Sequence, residues 1–203
     1  MKNILTLIVL ALAGCSILEG ASYNRGTPGY LDVKKPMPDG SRSVYLKPAS
    51  LFDSDDSISI FRLGFYWETK MKDKVDFIIV VPIKWDAKHK YKNANVGGLV
   101  ILKDNKKIQL KKSKNAITLG DKDLVIRKEN YVKVRYQGNK KLLKSMLDAK
   151  DVVVQVKLAD KMYTSRFDVN SKNRERYRTI RQNAFNGAGR FIEAINQSNS
   201  MRQ

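Results

Sequence analysis

Short apolar or alternating segments recur between residues 44 and 136, and turn residues separate them every ~8 to 15 positions. Segment 57–67 is β-branched and aromatic, and segment 75–83 is a nearly continuous apolar run that suits a strand buried on both faces. Segment 131–136 alternates apolar or aromatic residues with basic ones at its centre. This spacing predicts an antiparallel β-sandwich or an open barrel.

Two hairpins are predicted within this region. Segments 97–102 and 106–110 flank a turn at 103–105, and Ile108 and Leu110 are expected to point inward. Segments 115–119 and 124–127 flank a second turn, which carries two aspartates, residues typical of turns.

The pattern changes after residue 139. Leu142, Leu143, Met146 and Leu147 recur at helical spacing and predict a short amphipathic helix near 140–149. Strand patterns follow at 151–158 and 162–169, and a C-terminal helix is predicted near 171–196. The chain is therefore expected to be mainly β with two helices, an α+β protein.

The predicted C-terminal helix carries two columns of side chains. Its apolar stripe is formed by Tyr177, Ile180, Ala184, Ala188, Phe191 and Ile195. A second column holds three arginines beside two apolar residues. Because guanidinium groups form bidentate hydrogen bonds with phosphates and carboxylates, this column is a candidate partner-binding face. These candidate residues are Arg174, Arg178, Arg181, Phe185 and Ile192. The alternative is that the stripe packs on the sheet and the arginines are merely solvated.

The amino terminus has the plan of a secretory signal. Lys2 supplies a positive charge, residues 4–13 are apolar apart from Thr6, and small residues lead to Cys15, the only cysteine of the chain. The apolar run is much shorter than the ~20 residues that a membrane-spanning helix needs. With one cysteine, the chain has no internal disulfide, so its stability must come from its core.

The sequence Leu12-Ala13-Gly14-Cys15 resembles the lipobox of bacterial lipoproteins, and the resemblance covers residues 1–15 only. It implies that residues 1–14 are cleaved and that the Cys15 sulfur carries a diacylglycerol, a covalent lipid and the only expected cofactor-like group. Ser16, in place of an aspartate, favours the outer membrane facing the periplasm under the sorting rule that this resemblance implies. The alternative is a free cysteine in an ordinary cleaved leader.

Segment 15–43 predicts a flexible tether, because it is rich in proline and glycine and has no periodicity. A tether of this length reaches roughly 30 Å in root-mean-square terms. Residues 44–203 are then a single β-rich domain that ends in the amphipathic helix.

The chain has a formal net charge of +19, which attracts polyanions. Behind a secretion signal, nucleic acid is not an expected partner. The available polyanions are anionic lipid, lipopolysaccharide, wall glycan and acidic envelope proteins. The alternative is a generically basic protein whose lysines only solvate it.

Two lysine clusters are the candidate anion-binding surfaces. The first surrounds Trp85 and Tyr91, and the second occupies the hairpin at 97–110 and its continuation. The candidate residues are Lys84, Lys88, Lys90, Lys92, Lys106, Lys107, Lys111, Lys112 and Lys114. Lysines on edge strands also prevent sheets from aggregating edge to edge, which is the competing interpretation.

The sequence offers little for catalysis. His89 is the only histidine, it lies among lysines, and no serine has the glycine-flanked setting of a hydrolase nucleophile. The acidic residues at 53–56 lack the later glycine and glutamate of a calcium loop, so no metal site is expected.

The sequence therefore predicts a non-enzymatic, lipid-anchored protein of the bacterial cell envelope. Its expected role is a binding or assembly module, an accessory subunit that grips an envelope protein partner. The alternative role is direct binding of anionic lipid, lipopolysaccharide or wall glycan through the lysine-rich hairpins.

Overall fold

The apolar segments form strands in a computed structural model that describes residues 29–34, 36, 38–52, 58–82, 96–113, 131–167 and 183–200. The described strands are β1 (Leu31–Lys34), β2 (Ser43–Phe52), β3 (Ile58–Glu68), β4 (Lys74–Pro82), β5 (Val96–Lys103), β6 (Lys106–Lys112), β7 (Tyr131–Asn139), β8 (Val152–Leu158) and β9 (Lys161–Arg166). The described helices are α1 (Lys140–Asp148) and α2 (Ala184–Ser200), and a single 3-10 turn spans Thr69–Met71.

All nine described strands belong to one antiparallel sheet in the order β1-β2-β3-β4-β7-β6-β5-β8-β9. The sheet curls, so that β9 returns to β2 at the pair Phe52 and Arg166. The prediction of a mainly β protein with two helices is confirmed, and the architecture is the open, half-barrel form rather than a two-sheet sandwich.

The core lies on the inner side of the curled sheet. Alternate residues of β3 and β4 face this side and are buried, as the period of two in a strand requires. In β2 the buried residues change phase at a register shift between Leu46 and Ala49. The Phe65 ring lies at the centre, with its centroid 5.1 Å from that of Phe77, 5.7 Å from Phe191 and 6.4 Å from Phe167. These contacts join the sheet, α2 and the residue that follows β9 into one apolar cluster.

Helix α2 packs against the inner side of β2 and β3. The described members of the predicted stripe are all fully buried, namely Ala184, Ala188, Phe191 and Ile195. The predicted C-terminal helix is thus confirmed, but its described part begins at Ala184 and ends at Ser200. Asn183 does not continue it: this residue pairs with Ser50, and its side-chain oxygen accepts a hydrogen bond from the Asn186 backbone N–H at 2.7 Å.

The two glycines of α2 have different surroundings, although the helix runs through both. A Cβ on Gly187 would lie 2.7 Å from Leu46 Cδ2, whereas a Cβ on Gly189 would meet nothing within 4 Å. Gly187 therefore permits the close approach of α2 to β2. Neither described helix combines the length and the hydrophobicity that crossing a bilayer requires.

Three contacts hold the seam where the sheet curls back on itself. Ser59 and Ser165 are 3% and 1% exposed, and their hydroxyl oxygens are hydrogen-bonded at 2.6 Å between β3 and β9. The β2–β9 pair and the bridge from Asn183 to Ser50 complete the seam. Each contact joins residues far apart in sequence, so formation of the seam has the entropy cost of closing long loops.

The ordered sheet begins earlier than the sequence predicts. Strand β1 pairs with β2, and the Gly29 backbone N–H donates to the Lys47 carbonyl at 3.1 Å, within the stretch assigned to the tether. Arg190 of α2 donates to the Gly29 carbonyl at 3.2 Å. The four-residue β1, bounded by Gly29 and Pro36, is too short for alternation to reveal it.

Local sequence signals predict the remaining described elements well. The turn between β5 and β6 consists of Asp104 and Asn105, with φ values of 46° and 64°, the left-handed pair of a two-residue hairpin turn. Helix α1 begins after Asn139, whose side chain accepts a hydrogen bond from the Leu142 N–H at 2.7 Å. The predicted hairpin at 115–127 lies outside the described residues.

Alanine substitutions at the two glycines test how tightly α2 packs. Gly189→Ala is expected to raise the free energy of unfolding by up to ~1 kcal/mol, because alanine favours the helix and nothing obstructs its methyl group. Gly187→Ala gains the same preference but presses on buried Leu46, so it should be ~1–3 kcal/mol less stable than Gly189→Ala. Urea denaturation of both variants measures the difference. Equal stabilities would show that Leu46 yields freely.

Candidate binding surface

The lysines of β6 divide between the two sides of the sheet. Leu99 pairs with Leu110 and Ile101 with Ile108, and these residues point inward as predicted. Alternation then places Lys107, Gln109 and Lys111 on the outer face. Lys106 and Lys112 lie at the two ends of the inner side. All four lysines are exposed.

None of these four lysines forms an ion pair with a carboxylate among the residues that the structure describes. The neighbouring Lys103 differs, because its Nζ lies 3.3 Å from Asp104 Oδ2. Four ammonium groups on one rigid strand therefore present positive charge to the solvent. This arrangement is able to attract carboxylates or phosphates.

The outer face of β6, β5, β8 and β9 forms one continuous surface, which we call the open face. The register of the three strand pairings aligns its residues in rows. The open face consists of Lys107, Gln109, Lys111, Gly98, Val100, Leu102, Val153, Gln155, Lys157, Met162, Thr164 and Arg166. No aspartate or glutamate occupies these outward positions, so the surface carries positive charge only.

Lys157 and Met162 are two residues of the open face that sequence reasoning did not single out. Lys157 pairs with Met162 across β8 and β9, and both are exposed, Met162 by 50%. The alternation of β8 in the sequence could have indicated the orientation of Lys157, because it directs Val153, Gln155 and Lys157 to one side of the strand. Only the strand order reveals that this side is continuous with the lysines of β6.

The outer face of β2, β3, β4 and β7 is different, and we call it the closed face. Lys133 Nζ lies 5.2 Å from the centre of the Tyr45 ring, and the Arg135 guanidinium lies 5.0 Å from that of Tyr66. The two tyrosine rings meet edge to face at 6.4 Å. Arg135 Nη1 is 3.6 Å from Asp76 Oδ2. The cationic side chains of the closed face are therefore in contact with aromatic rings and a carboxylate of the protein itself.

Burial changes the titration of the closed face. Asp76 is 9% exposed, and burial raises the pKa of its carboxyl above the ordinary 3.8, although the positive charge of Arg135 lowers it and Glu68 raises it further. Burial and the hydrogen bond that the Tyr66 hydroxyl donates to Glu68 raise the pKa of Tyr66 to about 12. The closed face is thus a packed polar layer over Ile78 and Val80, which are buried outside the core cluster.

The structure gives two candidate partner-binding residues of the terminal helix a packing role. Ile192 is 7% exposed and belongs to the core cluster, and the Phe185 ring lies 5.4 Å from that of Phe167. Ile192 therefore offers little apolar area to a partner, whereas Phe185 is only partly buried. The three arginines of the predicted face lie outside the described residues, so partner binding there stays a prediction.

The other candidates also lie outside the residues that the structure describes, so they stay predictions. They are Cys15, Lys84, Lys88, Lys90, Lys92, Lys114, Arg174, Arg178 and Arg181. The same holds for His89 and for the acidic stretch at 53–56.

A groove of about 710 Å³ lies beside α1. It is lined by Asp73, Asn139, Lys140, Lys141, Lys144, Ser145, Asp148 and Asn196. Charges of both signs line it, and Lys140 Nζ is 3.1 Å from Asp73 Oδ1. Its mixed charge makes it a weaker candidate for an anionic partner than the open face.

Within the described part of the chain, no group of three or more histidine, cysteine, aspartate or glutamate residues is placed to hold a metal ion. Comparison of the chain with protein-family models, curated proteins and solved structures found no match.

The raised pKa of Asp76 predicts how stability changes with pH. As pH rises from 3.8, the unfolded carboxyl loses its proton before the folded one, so the free energy of unfolding falls until Asp76 is ionised in both states. Asp76→Asn removes this loss. The stability of Asp76→Asn minus that of the unmodified protein should therefore increase with pH across this window, as urea denaturation at several pH values would measure.

Asp39 is a control of opposite sign. Hydrogen bonds from Ser41 lower the pKa of its carboxyl to about 2, so the unmodified protein gains stability as pH rises from about 2 to 3.8. The stability difference for Asp39→Asn should fall over that range. A difference for Asp76→Asn that also falls with pH would mean that Arg135 outweighs burial at Asp76.

Proposed function

We propose that the protein is a lipid-anchored, non-catalytic binding module of a bacterial cell envelope, an accessory subunit that holds an acidic envelope protein. The lipobox-like sequence ending at Cys15 supports the anchor, and Ser16 favours the outer membrane. The single observation that supports binding most strongly concerns the lysines of β6. All four are exposed on a paired strand, and none has an ion-pair partner among the described residues.

The positions of Lys111 and Lys112 argue against a purely protective role. Lysines that block aggregation are expected on the open edges of a sheet. In the strand order β6 lies between β7 and β5, and β7 pairs with Lys111 and Lys112. These two lysines therefore do not guard an open edge, whereas Lys106 and Lys107 have no β7 partner in the described register. The grouping of four exposed lysines on one strand favours recognition of an anionic partner.

Removal of the β6 charges tests this proposal. The variant K106Q/K107Q/K111Q/K112Q is expected to lose a protein that co-purifies at fixed ratio with the full chain from native envelopes in mild detergent. Each exposed ion pair contributes ~0.2–1 kcal/mol, so the loss of four pairs should weaken binding by at least about fourfold. Mass spectrometry of bound proteins and lipids is the measurement.

The matched control is K72Q/K74Q/K141Q/K144Q, which removes the same charge from four exposed lysines elsewhere in the described structure. It should retain the partner. Recovery of anionic lipid or glycan without a protein would instead support direct lipid or glycan binding. Loss of the partner only in R174A/R178A/R181A would move the binding site to the terminal helix.

Substitution of the cysteine tests the anchor separately. Cys15→Ser removes the only sulfur able to accept a lipid, so the protein should leave the membrane fraction and appear in the salt-washed soluble fraction. Fractionation with immunoblotting measures this, and mass spectrometry of the amino-terminal peptide of the unmodified protein checks for the lipid. Membrane retention of Cys15→Ser at high salt would contradict the lipid anchor.

A further inference from the structure

Strand β1 lies at one end of the strand order, and among the described strands it pairs with β2 alone. The Lys47 backbone N–H donates to the Tyr30 carbonyl at 2.9 Å, and the register continues without a shift to the end of β1. Because successive residues of a strand direct their backbone groups to opposite edges, Leu31 and Val33 direct their N–H and C=O groups away from β2. This second edge of β1 is therefore able to form hydrogen bonds with a further strand.

The side chains of β1 divide between the two sides of the sheet. Val33 pairs with Val44 of the core, so it lies on the inner side, yet it is 49% exposed. Asp32 pairs with Tyr45 and lies on the outer side, as does Lys34. Within the described part of the chain, neither Asp32 nor Lys34 forms an ion pair. The strand thus carries an exposed apolar residue between an acidic residue and a basic one.

The sequence of β1 is complementary to itself in one antiparallel register. When Val33 lies opposite Val33 of a second copy, Asp32 of each copy lies opposite Lys34 of the other. The two Val33 residues exchange backbone hydrogen bonds in this register, because both direct their N–H and C=O groups to the second edge. Two cross-strand ion pairs then flank one apolar pair, and pairs of both kinds stabilise neighbouring strands.

The same two charges disfavour the neighbouring registers. A two-fold axis at Asp32 would place two aspartates opposite each other, and an axis at Lys34 would do the same with two lysines. Like charges directly opposite each other destabilise a strand pair. Charged residues on an edge strand commonly prevent all pairing. On β1, however, the charges have opposite signs on the two sides of Val33, so they oppose the neighbouring registers and favour the one centred on Val33.

We propose that the second edge of β1 binds a second copy of this chain, so that two sheets join in antiparallel fashion with Val33 on the two-fold axis. Each copy contributes the same residues, as a closed two-fold interface requires. Strands this short bury less than the ~1,200 Å² of a stable interface, so the dimer is weak and concentration-dependent. The inference does not depend on the proposed partner binding. A dimer carries two sets of β6 lysines, which strengthens binding to any partner with repeated anionic groups.

Disulfide cross-linking of the full chain, purified in nonionic detergent, tests this edge. In Val33→Cys the Cα atoms of the two opposed cysteines are ~5.5 Å apart, which a disulfide spans. Mild oxidation should therefore give a product of twice the chain mass on a non-reducing gel. The unmodified chain, with Cys15 as its only cysteine, gives the background. Lys150→Cys is the control at an exposed position outside the strands, and Val33→Cys should exceed its yield at least about fivefold.

Charge exchange in the Val33→Cys background tests the register. D32K and K34D each turn both ion pairs into pairs of like charge, so each should lower the yield of cross-linked dimer at least about threefold. D32K/K34D exchanges the two charges and should restore the yield. When differently tagged D32K and K34D chains are mixed, each should cross-link to the other more than to itself, because the ion pairs form again between them.

Three outcomes would overturn the inference. The first is a yield from Val33→Cys that is no higher than that from Lys150→Cys. The second is an equal yield from D32K, K34D and D32K/K34D, which would mean that the two charges do not face each other. The third is more efficient cross-linking by Asp32→Cys than by Val33→Cys, which would move the axis to Asp32. None of these substitutions alters β6, so the β6 variants report on the proposed function independently.

Discussion

The packing of α2 against the inside of the curled sheet is the interaction on which the other features depend. A sheet that curls without a continuous closing ladder leaves an apolar interior with a weak seam, because β9 meets β2 through a single pair. Helix α2 contacts both sides of that seam, through Phe191 against Phe65 and Phe185 against Phe167. The absence of internal disulfides makes this packing the main restraint on the curl.

Because the core and α2 fill the inner side of the sheet, the residues of the outer side need not form a core. The two halves of that outer side, the closed face and the open face, differ in how their charged residues are buried. On the closed face, burial of Lys133 and Asp76 has a desolvation cost, which their contacts with Tyr45 and Arg135 reduce but, at Asp76, do not cancel. On the open face, Lys107 and Lys111 stay hydrated and have no such cost. A charge that is solvated in the free protein is available to a partner, whereas a buried and contacted charge would first have to break its existing interactions.

Sequence reasoning succeeded where the signal is local. The β5–β6 hairpin, the Asn139-capped α1 and the buried stripe of α2 follow from turn chemistry, capping and periodicity. It failed where the deciding contact is distant in sequence. The short β1 is fixed by its pairing with β2, and Asn183, predicted inside the helix, instead caps its described part and pairs with Ser50. The division of the lysines into faces needs the strand order, since Lys157 joins Lys111 only through β5.

A net charge of +19 attracts every kind of polyanion, so charge alone gives poor discrimination among them. Long-range attraction raises the rate of encounter, and salt weakens it for all partners alike. Selectivity requires short-range contacts that only one partner can make. The exposed lysines of β6 supply the long-range attraction, so a partner must add contacts of another kind in order to be selected.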